Sequence, residues 1–174
     1  MRFVVTGEWS RNRLLQVIVV LYSIYVAALW TTNALLYFSK MGLTTVSVVE
    51  YYLGAEERFL SPRSYQGLLE VSHFHLFAMG MLLLVLTHLA LFVPVSPRVK
   101  AALVVLPFVS AFLDEGAGWL VRFVSPSFAA LKIAGFLLLQ GSLAALVGVS
   151  LWAVFAGKQG EHYAGEGDWD DDEP

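Results

Sequence analysis

Four stretches of this chain are each long and apolar enough to cross a lipid bilayer, and no other feature constrains its fold as strongly. A bilayer's hydrocarbon core is about 30 Å thick, so a spanning helix needs about 20 consecutive, mostly apolar residues. The first run, 14–38, is broken only by Gln16, Asn33 and a few hydroxyls. A second, 70–93, stops at Pro94, Ser96 and Pro97. The third, 98–122, carries Pro107 internally and then Asp114, Glu115 and Trp119. The fourth, 127–155, follows Ser125-Pro126. Tight turns between the last three make those helices antiparallel neighbours. The expected fold is an all-α integral membrane protein: a four-transmembrane-helix antiparallel bundle over residues 1–156, with a disordered acidic tail at 157–174.

Composition agrees. Of the 174 residues, 57% are hydrophobic and 14% charged, where soluble domains have about a quarter charged. Five of the carboxylates lie between Asp168 and Glu173, so the net charge of -3 belongs to the tail. With no cysteine, disulfides, iron–sulfur clusters and thioether-attached haem are excluded. No phosphate-cradling glycine loop, Ser-His-Asp ordering or basic nucleic-acid stripe occurs, so no nucleic-acid partner is expected. The first run is too long for a secretory signal core and lacks a cleavage site, so it is expected to remain in the membrane.

Between the first two runs, 39–69 is the one larger connection, holding Glu50, Glu56, Glu57, Arg58 and Arg63 among tyrosines. Its 46–52 segment reads as a short amphipathic or interfacial piece. Lysines and arginines near the spans favour, by six to five, both termini in the cytoplasm; Lys132 counts here as a possible charge on the loop side. That orientation makes 39–69 extracytoplasmic, in a bacterial inner membrane. Gly116 and Gly118 on the third run, and Gly141, Ala144, Ala145 and Gly148 on the fourth, have the small-residue spacing of close helix contacts.

Chemistry concentrates on the second run, which opens Glu70-Val71-Ser72-His73-Phe74-His75 and later holds His88. Ionisable groups at membrane depth are costly and point to function. His73 and His88 share one helical stripe, roughly 22 Å apart at about 1.5 Å per residue, while His75 points about 160° away from His73. Folding the third run back antiparallel brings Asp114 and Glu115 level with the start of the second. Glu70, His73, His75, Asp114 and Glu115 are thus expected to converge near the loop-bearing face.

Three readings stay open. In the first, b-type haem is held through His73, His75 or His88. Because the other spans carry no histidine, the second axial ligand then comes from another membrane or cytochrome subunit, a homo-oligomer, or a methionine such as Met79 or Met81. In the second, Glu70, His73, His75, Asp114 and Glu115 bind a zinc, iron, manganese or copper ion, Glu70-x-x-His73 having the spacing of bundle carboxylate sites. The third is a structural His–carboxylate pair or a proton relay without a cofactor.

The runs from Glu50 to Glu57 and from Leu68 to Met79 resemble a group of small bacterial inner-membrane proteins with four spans and a His-x-His at the head of the second. The resemblance singles out Glu56, Glu70, His73 and His75 and implies a neighbourhood of respiratory or multihaem cytochromes. The expected role is therefore a non-catalytic membrane subunit of an electron-transfer assembly.

Overall fold

The computed structural model describes residues 13–164. The chain forms α1 (Arg13–Lys40), a short helix α2 (Thr45–Leu53), α3 (Tyr65–Ala90), α4 (Pro97–Phe123) and α5 (Ala129–Ala164), with single 3-10 turns at Glu56–Arg58 and Pro126–Phe128. Among the described residues there is no β-strand, only an isolated bridge between Ala55 and Leu60. Helices α1, α3 and α4 and the segment Pro126–Phe155 are long and apolar enough to span a membrane. The fold is an all-α membrane bundle.

Its surface is inverted relative to a soluble protein. Phe74 and Phe77 are each 72% exposed, with Tyr25 at 68% and Phe112 at 66%, whereas Gln16, Ser23, Ser110, Ser150 and Lys132 are buried. Burial of polar groups beneath an apolar exterior is stable only where hydrocarbon is the solvent.

Helix α5 is the spine: α4 packs against it over the longest contact, and α1, α3 and α2 also lean on it. Two of the apolar clusters follow that spine. Val26, Leu83, Leu86, Leu139, Leu143 and Leu146 fill the middle of the bundle, and Val48, Tyr52, Leu68, Val121 and Ala129 fill the loop-bearing end. Tyr37 of α1 stacks on Phe136 of α5 with ring centroids 3.7 Å apart.

Several boundaries differ from the hydropathy reading. α3 begins at Tyr65, because Ser64 caps it by accepting the Gly67 N–H at 3.1 Å; polar residues fill this first turn, so apolarity alone does not reveal it. The same helix ends at Ala90, where Lys100 Nζ donates to the Leu91 carbonyl at 2.6 Å. No proline intervenes between Pro126 and Ala164, and α5 continues to Ala164, so no break in the helix occurs at 156. The expected acidic tail beyond Ala164, like the first twelve residues, lies outside the described residues.

The small-residue stripes also need correcting. A side chain at Gly116, Gly141 or Gly148 would meet nothing within 4 Å, so these positions face outward. Close approach occurs instead at Gly135, where a Cβ would fall 2.7 Å from the Asp114 backbone nitrogen. That contact fixes the α4–α5 spacing. Gly135→Leu should lower the thermal transition measured by circular dichroism in detergent, at a cost of about 1–3 kcal/mol, whereas Gly141→Leu should leave it within about 0.5 kcal/mol.

Candidate functional site

At the loop-bearing end of the bundle, Glu115 on α4 is held by α3. Ser72 Oγ donates to Glu115 Oε1, and His75 Nδ1 lies 3.1 Å from Oε2. Trp119, one turn beyond Glu115, donates its indole N–H to Ser72 Oγ at 2.7 Å. Three-residue spacing on α3 and four-residue spacing on α4 put each pair on one helical face. Both carboxylate oxygens are therefore engaged. With Glu115 as acceptor, Nδ1 of His75 carries the hydrogen, and a neutral ring leaves Nε2 as an acceptor.

Asp114, about 100° further round α4, turns toward α5. Lys132 Nζ on α5 stands 2.8 Å from its Oδ1 and donates to its backbone carbonyl at 2.9 Å. The absence of a side chain at Gly135 lets α5 come close enough for this contact. Below the pair, the Tyr52 hydroxyl of α2 reaches Gly118, where a Cβ would lie 2.5 Å away. Burial pushes the Tyr52 phenol well above its usual range, and the nearby Asp114 carboxylate pushes it further. Outside the network, Arg122 Nε donates to the Arg63 carbonyl at 2.7 Å and Arg63 covers the Tyr51 ring at 4.1 Å, anchoring the loop.

Helices α1, α3, α4 and α5 enclose a cavity of about 280 Å³. His75, Asp114, Glu115 and Asn33 line it, and the rest of its wall is apolar, including Trp30, Met79, Phe108 and Phe112. The cavity is partly open. Leu29, Leu76 and Phe112 on its wall belong to spanning helices and are themselves exposed.

Of the five residues expected to converge, the structure joins only His75 and Glu115. Asp114 is tied to Lys132; Glu70 accepts from Gln66 Nε2 at 3.0 Å on the exposed face. His73 is exposed with its ring edge-on to Phe74, and His88 is exposed beside Phe92 near the other end of α3. The reason is helical rotation: with α3 regular from Tyr65, two residues separated by about 200° cannot both meet α4. Among the described residues, no three His, Asp or Glu side chains gather as a metal centre. The expected five-residue metal set is not formed.

Lys132, read as a possible loop charge, is buried. Its position, one turn inside the fourth span, was the available signal for a carboxylate partner. Ser72 and Asn33 carried no distinguishing signal, since single hydroxyls and amides are common in spanning helices. Lys132→Met should cost about 3 kcal/mol in thermal or denaturant unfolding by leaving Asp114 buried without its counter-ion. Adding Asp114→Asn should restore more than half of that loss; a double variant as weak as the single would show that the pair is not the cause.

No curated protein and no solved structure matches the chain. Residues 42–161, from the loop through α2, α3 and α4 and most of α5, match the family Aq_1264_TM, described as a transmembrane helical domain. The matched region contains His75, Glu115, Asp114 and Lys132. The chain belongs to the Aq_1264_TM family of transmembrane helical domains.

Proposed function

We propose that this protein is a non-catalytic membrane subunit of an electron-transfer assembly in a bacterial inner membrane, both termini cytoplasmic, with the cavity beside His75 as its ligand site. One observation carries this reading: an imidazole oriented by a carboxylate, with its second nitrogen unclaimed, lines an apolar cavity inside the spans. Ligand-bearing histidines are commonly oriented this way, with one ring nitrogen bound to a carboxylate and the other offered to the ligand. A purely structural histidine needs no cavity. Isolated with its partners from host membranes in mild detergent, the protein should bring a redox centre visible in a reduced-minus-oxidised spectrum. A flat spectrum from an intact assembly overturns the reading.

A second reading, haem b shared with a neighbouring subunit, is favoured by the placement of His73 and His88. Both are exposed on the stripe that runs through Phe77 and Leu84, so an imidazole from this chain is offered outward at two depths, roughly 22 Å apart at about 1.5 Å per residue. This chain supplies one axial ligand at each depth, and the partner supplies the other. On this reading His73→Ala and His88→Ala each remove part of a Soret and α-band signal, while His75→Ala leaves it. Bands unchanged in both variants would place any haem elsewhere in the assembly.

A further inference from the structure

The geometry points to a hydroquinone-type head group as the ligand of the cavity beside His75, held by its hydroxyl on His75 Nε2 with its ring between the aromatic walls. This rests on the reading of the chain as an electron-transfer subunit and names the class of molecule that its site takes.

Access sets the first requirement. The cavity is partly open, and its wall includes Leu29, Leu76 and Phe112, exposed residues of spanning helices, so a ligand dissolved in the bilayer can reach it. Size sets the second. At about 280 Å³ the cavity lies near the lower end of small-molecule sites, about 300 Å³, enough for one substituted ring, with an isoprenoid tail leaving through the mouth. Trp30, Phe108 and Phe112 offer faces and edges against which a flat ring packs better than an acyl chain does.

Polarity sets the third. Glu115 takes the Nδ1 hydrogen of His75, and each of its oxygens already has a partner, in His75 or Ser72, which leaves Nε2 as the free acceptor of this pair for an entering hydroxyl. In the neutral tautomer that keeps the hydrogen on Nδ1, Nε2 accepts, and a ligand bound there donates. The Asn33 amide, also on the wall, offers both a donor and an acceptor to a second ring oxygen. Asp114 lies on the cavity wall but is neutralised by Lys132. A ring with a hydroxyl donor at one end and an oxygen at the other, joined to a lipid tail, meets all three requirements.

The test uses the full chain in lipid nanodiscs and a decyl-substituted hydroquinone, read by saturable quenching of tryptophan fluorescence. Binding should weaken at least tenfold in His75→Ala and for the dimethyl ether of the same hydroquinone, which keeps the apolar body and lacks the donors. Gly80→Leu should also abolish it: Gly80 lines the cavity and a Cβ there meets nothing within 4 Å, so the variant fills the space without disturbing the fold. Phe77→Ala, on the outward face, should bind as the parent does. Equal binding of hydroquinone and ether, or quenching unchanged by Gly80→Leu, overturns the assignment. A saturable site in a protein whose purified assembly lacks redox centres would keep the ligand and remove the electron-transfer reading. A redox assembly without the site would do the reverse.

Discussion

A carboxylate inside a bilayer must be matched by donors, and the loop-bearing half of this bundle is arranged around two of them. Glu115 and Asp114 are adjacent in sequence and about 100° apart around α4, so a single helix sends one carboxylate toward α3 and the other toward α5. Ser72 and His75 answer the first, with Trp119 bracing Ser72; Lys132 answers the second. Each pairing requires its helices to stand at a fixed separation and rotation. Register at this end is therefore set by polar contacts, and the apolar clusters deeper in the bundle fill the space that results.

How much of this was legible in the sequence follows from the same division. Spans, antiparallel order and the depth of Asp114 and Glu115 follow from hydropathy and a rise of about 1.5 Å per residue. Rotation is harder. It depends on where a helix becomes regular, and a serine cap at Ser64, six residues before the apolar run, decides that His75 and not His73 meets Glu115 of α4. Small residues misled in a related way: spacing identifies a smooth face, but whether lipid or a helix lies against it depends on the neighbours, and among the described spanning glycines only Gly135 and Gly118 are closely approached by another helix. The cavity had no sequence signal at all, because it is a gap among four helices whose lining residues are ordinary spanning residues.

The two faces of α3 divide the chemistry. Its inner face contributes Ser72 and His75 to the network and Met79 and Leu83 to the cavity and core, while the outer carries His73, Phe77, Leu84 and His88. One helix thereby keeps the residues of the network and cavity apart from the histidines of its outer face. The aromatic and aliphatic residues between the outer histidines suit lipid and a protein surface equally well.

Helix α5 is the last of the four spans to leave the ribosome, and every other long helix packs on it. Until it enters the bilayer, α4 holds Asp114 without its counter-ion, since Lys132 lies eighteen residues downstream. The order of the spans thus lets the earlier three insert before the cation that completes the Asp114 pair has been made. A chain cut short before residue 132 would keep Asp114 but lack the cation that pairs with it.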